Sequence, residues 1–257
     1  VKIESVDEVV GRILSRRDAL GGGCVAFDAD GTLWSGDVGD DLWHAMIERD
    51  AFLPAAHSAL ARVASEAGLD ASGSPIELAK SIARAQAREI VSEERVVEVV
   101  AWALAGRTEP QVKSFVQEVL ASAAISQRFH RESIQVLRAL QQLGIAVYVV
   151  SASPRAIVEQ AVLALGIDAS HVIAATAAFE NDVMVAGLRE PLPFGPGKVH
   201  GLRQYAPDQA LLAAFGDNYF DTAMLREAEV PVAVRPKPRL RASADAVPGL
   251  VELASLR

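Results

Sequence analysis

Asp28 and Asp30 stand one residue apart at the end of a short apolar run, within VAFDADGTLWSGD, residues 25–37. Alternate residues of a strand share a face, so this spacing aims both carboxylates the same way. Like charges brought that close repel, and the pair calls for a cation, a proton or both. Two further apolar runs also end in a polar residue. Ser151 follows residues 145–150, and Asp217 follows residues 211–215 and Gly216. In open α/β sheets, ligands bind in the crevice at the carboxyl ends of the strands. A single Asp there is commonly a turn or helix-capping residue, but four polar residues on one rim make a site. Lys198, after Phe194-Gly-Pro-Gly197, would place a point charge beside an oxyanion. The segment is no P-loop, because Leu192 and Val199 replace the glycine and hydroxyl residue that motif needs.

Those residues need elements to carry them. Apolar runs at 24–27, 145–150, 211–215 and 230–234 have the length of buried parallel strands. Helical patterns at 132–143, 155–165 and 219–228 lie between them. The alternation predicts an α/β fold with helices on both faces of the sheet. Residues 38–127 lack strand-like runs and are rich in Ala, Glu and Arg. Helices are expected at 40–49, 55–67, 76–90, 93–105 and 109–124. Thr108 with Gln111 forms a capping box, with Pro110 in the first turn. This stretch reads as an all-α unit of residues 38–127, inserted into a core of residues 1–37 and 128–257. Residues 171–185 resemble a hairpin turning at Asn181-Asp182.

Composition narrows the function classes. The 257 residues are 51% hydrophobic, enough for a sizeable core. A formal net charge of -8 argues against non-specific binding to nucleic acid or to anionic membranes. The single cysteine, Cys24, allows no disulfide framework within the chain. The charged, interrupted N-terminal stretch lacks a leader pattern, and residues 96–105 are too short to span a bilayer. A soluble, cytoplasmic protein is expected.

Asp28-Ala-Asp30-Gly31-Thr32, Ser151, Lys198 and Gly216-Asp217-Asn218-Tyr219-Phe220-Asp221 resemble, in that order, the four motifs of the haloacid dehalogenase-like hydrolase superfamily. The helical insertion is similar to the cap of its phosphoserine phosphatase-like branch, and so is the hairpin before Lys198. The resemblance implies a three-layer α/β/α Rossmann-like core of mostly parallel strands plus an inserted all-α cap. It implies a phosphatase acting on a small phosphorylated metabolite through an aspartyl-phosphate. Asp28 would be the nucleophile, and Asp30 the general acid and then base. Mg²⁺ would be held by Asp28, the backbone carbonyl of Asp30, and Asp217. Gly31, Thr32, Ser151 and Ala152 would bind the phosphoryl oxygens and Lys198 would neutralise them. Asp221 would hold Lys198 or a metal water. An acid at position 30 is what true dehalogenases of the superfamily lack.

The pattern also has departures. Phe220 stands where an Asn is usual, and Ser151-Ala152-Ser153 replaces Ser-Gly-Gly. Asp37 aligns with the acidic residue that holds the substrate ammonium in phosphoserine phosphatases, or else is a turn or capping residue beside Gly36. Arg128 and His130, where the insertion returns to the core, are either a solvated linker or a hinge that meets the substrate. Trp34 and Trp43 are cleft or core residues. No cap arginine for a substrate carboxylate stands out. A phosphomutase or phosphotransferase would use the same residues while excluding water, and a non-catalytic phosphate-ligand binding protein is the reading from another class. Receiver domains also gather acids, a hydroxyl and a lysine, but the long insertion and Asp30 argue against one. Oligomeric state is left open.

Overall fold

In the computed structural model, which describes residues 1–256, eight strands form one sheet in the order β1-β8-β7-β6-β2-β3-β4-β5. The central strand is β2 (Cys24–Phe27), parallel to β6 (Leu211–Gly216) on one side and β3 (Ala146–Pro154) on the other. Beyond β6 lie β7 (Val230–Ala233), β8 (Val251–Leu253) and β1 (Lys2–Glu4), all parallel. Beyond β3 lies β4 (Val172–Glu180), parallel, and β5 (Val183–Arg189), antiparallel at the edge. Every residue of β2, β6 and β7 is buried. Burial on both faces explains why these strands read as unbroken apolar runs. Phe27 and Phe215 stack on neighbouring strands with centroids 4.1 Å apart.

Chain direction reverses its spread at β2: the strand that follows it in sequence, β3, lies to one side, whereas β6 lies to the other. Such a switch point opens a crevice at the strands' carboxyl ends. The residues that leave β2, β3 and β6 there are Asp28, Ser151 to Ser153 and Asp217.

Residues 38–127, inserted between β2 and β3, carry five α-helices: α2 (Val38–Glu48), α3 (His57–Glu66), α4 (Pro75–Gln86), α5 (Glu93–Trp102) and α6 (Glu109–Ser122). Their starts are written in local chemistry. Ser74 with Glu77 and Thr108 with Gln111 form capping boxes, each with Pro in the first turn. These helices share one continuous apolar cluster with the sheet, from Val25 and Phe27 through Trp43 and Leu60 to Val116. Helix α5 packs on β3, β4 and β5.

Helix α1 (Val6–Leu20) precedes β2. Helix α7 (Arg131–Gln142) leads back into β3, and α8 (Arg155–Val162) follows it. Lys198 lies in the first turn of α9 (Gly197–Tyr205). A 3₁₀ turn at Tyr219–Asp221 leads into α10 (Thr222–Glu227), and α11 (Pro238–Ala242) follows β7.

Most expected elements are present, with three differences. Strand β3 continues through Ser151 to Pro154, with a register shift against β4 between Ser151 and Pro154. The hairpin turns at Asn181 and Asp182, both at positive φ, but its second strand runs on to Arg189. Strands β1 and β8 and helices α1 and α11 were not expected. No helix among the described residues is long and apolar enough to cross a membrane.

Candidate active site

Asp28 leaves β2 with its N–H bonded to the Phe215 carbonyl at 2.9 Å, which fixes where its side chain starts. Its Oδ1 accepts from Lys198 Nζ at 2.6 Å and its Oδ2 from the Thr32 hydroxyl at 2.9 Å. Lys198 also reaches Asp221 Oδ1 at 2.5 Å. Asp221 in turn accepts the N–H groups of Asp217 and Asn218 on Oδ2, which shapes the turn after β6. Lys237, in the loop after β7, sits 2.9 Å from Asp217 Oδ2, and its N–H donates to the Asp217 carbonyl. Two glycines make this density of groups feasible. A Cβ at Gly31, which sits at φ 83°, would lie 2.0 Å from Asp217 Oδ2. A Cβ at Gly216 would lie 2.5 Å from Asp221 Cβ. Any side chain at either position would displace a carboxylate.

Asp30 sits in a separate set of donors. Trp34 Nε1 and the Val38 N–H donate to its Oδ1, each at 2.8 Å. Its Oδ2 accepts from the Ser153 hydroxyl at 2.7 Å, with Ser151 Oγ at 3.3 Å. Burial, reinforced by the nearby Asp37 charge, pushes its carboxyl up to about 7. At neutral pH it can therefore hold a proton.

The other acids show how the site handles charge. Burial and the charges of Asp221 and Asp217 push Asp28 well above the ordinary carboxylate range, while Lys198 pulls it back. Burial and Asp221 push Asp217 up to about 6, against Lys237. Burial opposes the Lys198 charge, yet Asp221 and Asp28 outweigh it and hold its ammonium above the usual lysine range. Asp28, Asp217 and Asp221 are all buried and offer oxygens within 4.8 Å of one another. Three carboxylates against two lysines leave negative charge unmatched. Clustered carboxylate oxygens are the donors that hard divalent cations take, so these residues fit such an ion. Asp30 is outside this carboxylate trio, and Asp221 is in it.

A pocket of about 150 Å³ opens over these groups, lined by Asp28, Asp30, Lys198, Asp217 and Asp221. Ser151, Ala152 and Asp37 also line it. Gly31 and Thr32 do not. Thr32 is fully buried with its hydroxyl committed to Asp28, so it positions that carboxylate rather than facing a ligand. Arg128 and His130 do not line the pocket either. Arg128 bonds the Ser35 carbonyl at 2.6 Å, pairs with Asp41 and packs over Gly36. It pins the two crossings between the sheet and the inserted helices to each other. His130 is buried, with Nδ1 3.2 Å from the Thr32 carbonyl. That acceptor assigns the proton to Nδ1, and burial with the Arg235 charge pushes the imidazole below its ordinary range. Both residues brace the turn beneath the site. Trp43 is a core residue against Phe52. Asp37 is the N-cap of α2, bonded to the Asp40 N–H, as well as a pocket residue.

Lys237, Asp40 and Glu93 line the pocket and were missed in the sequence. Each comes from a loop or helix start whose approach to the site depends on tertiary structure. Phe220 packs against Phe194 with centroids 4.4 Å apart, and the two rings form part of the wall.

A mostly parallel sheet with acids gathered at its switch point is a Rossmann-like arrangement. The family model of the haloacid dehalogenase-like hydrolases matches residues 25–226, and the chain belongs to that family. No curated protein matches. Among solved structures, a protein of unknown function from Bordetella pertussis Tohama I is 20% identical, with a TM-score of 0.68 over 90% of this chain and 97% of that one. A family hydrolase from Salmonella enterica serovar Typhi is 16% identical, with a TM-score of 0.56 over 86% and 65%. A substrate-bound phosphoserine phosphatase is 17% identical, with a TM-score of 0.53 over 90% and 92%. At these identities the likeness is one of fold.

Proposed function

We propose that this protein is a metal-dependent phosphatase that hydrolyses a small-molecule phosphomonoester through a phosphoryl group on Asp28. The observation that carries the reading is the division of labour between two neighbouring carboxylates. Asp28 is oriented by Thr32 and neutralised by Lys198, whereas Asp30 is raised to about 7 in its own pocket of donors. Pairs of acids pushed into different environments take different catalytic roles.

In the first step an Asp28 carboxylate oxygen attacks phosphorus. The ester P–O bond breaks, and the leaving oxygen takes the proton held on Asp30. In the second step Asp30 accepts a proton from water, whose oxygen attacks the same phosphorus. The Asp28–phosphoryl bond breaks and inorganic phosphate leaves. Lys198 holds Asp28 in place and offers its charge to the phosphoryl oxygens, since such transfers depend chiefly on positioning and electrostatics. The Ser151 hydroxyl and the backbone around Ala152 line the pocket beside them. Mg²⁺ would be held by Asp28 and Asp217, with Asp221 alongside and the Asp30 carbonyl as a further ligand, and when bound would supply charge neutralisation at phosphorus.

Residues 38–127, inserted between β2 and β3, would act as a cap over residues 1–37 and 128–257. Their helices supply one wall of the pocket through Asp40, Gln86 and α5. Phosphatase activity on p-nitrophenyl phosphate should be lost with chelator and regained with Mg²⁺. Full activity in metal-free buffer overturns the metal requirement.

A further inference from the structure

The two lysines of the pocket are held in unlike ways. Lys198 has a side chain only 4% exposed and is shared by Asp28 and Asp221, at 2.6 and 2.5 Å. Withdrawing it would strand two buried charges. Lys237 reaches the same acids from outside. Its side chain is 54% exposed, and its Nζ lies 2.9 Å from Oδ2 of Asp217, a side chain only 4% exposed. Among the described residues Asp217 makes no other ion pair. Burial opposes the Lys237 charge, but Asp217, with Asp28 and Asp221 behind it, outweighs burial and holds the ammonium above the usual lysine range. The ammonium therefore faces all three carboxylates of the trio.

The chain delivers Lys237 there on a stiff arm, Arg235-Pro236-Lys237-Pro238. Arg235 turns at φ 43°, and its Nε donates to Glu132 Oε1 at 2.6 Å. The Pro236 carbonyl accepts from Arg241 Nε at 3.0 Å. Lys237 is extended, at φ -63° and ψ 155°, the region favoured before a proline. Its N–H donates to the Asp217 carbonyl at 2.8 Å. Two prolines and these bonds fix the backbone. Only the side chain is left free to move, and its solvated stem gives it room. Without this ammonium Asp217 would be buried beside Asp28 and Asp221 with no cation of its own, and like charges that close repel. A divalent ion held by Asp28 and Asp217 would claim the oxygens that the ammonium neutralises. Two cations at one carboxylate also repel each other. Lys198 cannot yield its place, whereas Lys237 can.

We propose that Lys237 is a displaceable counter-ion that occupies Asp217 until a divalent ion binds and so sets how tightly that ion is held. This rests on the metal requirement in the phosphatase reading above and names the residue that regulates the same site. Lys237 is a positioning residue. It keeps Asp217 in place among the acids before the ion arrives, and the ion must expel its ammonium from Oδ2 to take full hold.

The test is Mg²⁺ binding to the full chain by titration calorimetry at pH 7.5, with no substrate present. Lys237→Met and Lys237→Gln should bind Mg²⁺ at least about threefold more tightly than wild type, and Lys237→Arg within about twofold of it. Gln keeps a hydrogen-bond donor for Asp217 without the charge, so it serves where Met fails to fold. Lys80→Met removes the same charge from an exposed site on α4 outside the pocket lining and should leave Kd unchanged. Without Mg²⁺ the Met variant should melt below wild type, and saturating Mg²⁺ should narrow the gap. A merely structural lysine predicts the opposite sign, because damage to the site weakens binding. Equal or weaker binding by both neutral variants, with wild type still binding, overturns this inference and leaves the metal reading standing. An equal gain in Lys80→Met overturns it too, by assigning the effect to net charge. Failure of every form to bind Mg²⁺ overturns both readings.

Discussion

Asp28 and Asp30 differ in what surrounds them more than in what they are. Asp28 touches an ammonium and a hydroxyl, and Asp30 touches an indole N–H, a backbone N–H and Ser153. Asp30, raised to about 7 chiefly by burial and then by Asp37, is protonated below that pH. Its role as acid is therefore available below about pH 7 and is lost as pH rises through it. Asp30→Asn should slow turnover of an alkyl phosphate by roughly 10² to 10⁴. It should also flatten the alkaline fall in kcat for the phosphorylation step. A p-nitrophenyl ester, whose leaving group needs little protonation, should be hurt least. Equal losses on both substrates, by steady-state kinetics, would remove the acid role. At this scale the sequence was informative where motif residues converge: Asp28, Asp30, Ser151, Lys198, Asp217 and Asp221 share one pocket. It left the orientation of Thr32, Arg128 and His130 open, because spacing gives proximity but not the direction of a side chain. Thr32 turns towards Asp28, Arg128 towards Asp41, and His130 beneath the Thr32 carbonyl.

The elements present those residues through a few tie points. Glu132, in the first turn of α7 and fully buried, accepts from Arg235 Nε at 2.6 Å and from the Leu256 N–H at 3.2 Å. Burial works against its charge, but these bonds outweigh that and hold its carboxyl below the ordinary range. Arg235 belongs to the same loop as Lys237, so α7 and the wall of the pocket are joined there. The outer side of the pair is solvated, which weakens its Coulombic part. Its worth lies in satisfying buried polar groups. Glu132→Ala should cost about 1–3 kcal/mol, read as a lower urea midpoint with unchanged m. A midpoint within error of wild type would show the tie to be dispensable. Elements with capping signals, such as α4 and α6, were legible from sequence because their starts are local chemistry. Strands β1 and β8 have three residues each, too few to show a period. Helix α1 carries its own local signal, the Ser5–Glu8 capping box closed by Gly21.

Across the molecule, the fold gathers acids faster than it gathers cations. The folded state holds Asp30 and Asp217 protonated to higher pH than an unfolded chain does, at about 7 and about 6 against a free value near 3.8. Between those values the native state binds more protons, so stability of the metal-free protein falls as pH rises from about 4 to about 7. A divalent ion bound among Asp28, Asp217 and Asp221 replaces the missing charge and should raise Tm. Saturation at about 100-fold over Kd corresponds to about 2.7 kcal/mol. The Mg²⁺-induced rise should be larger at pH 7.5 than at pH 5, measured by calorimetry against chelator. Equal rises at both values would disconnect the metal from these carboxylates. Net charge, which read only as an argument against polyanions, says nothing of this local imbalance. It arises from the convergence of strand ends that only the folded sheet brings about.

The central claim is covalent: a phosphoryl group passes through Asp28. Quenching the protein in acid during turnover, then mapping its peptides by mass, tests it directly. The peptide containing residues 25–37 should carry one phosphoryl group that hydroxylamine removes, and Asp28→Asn should carry none and turn nothing over. Sustained hydrolysis by Asp28→Asn at a rate near wild type, or turnover with that peptide never modified, would contradict the account.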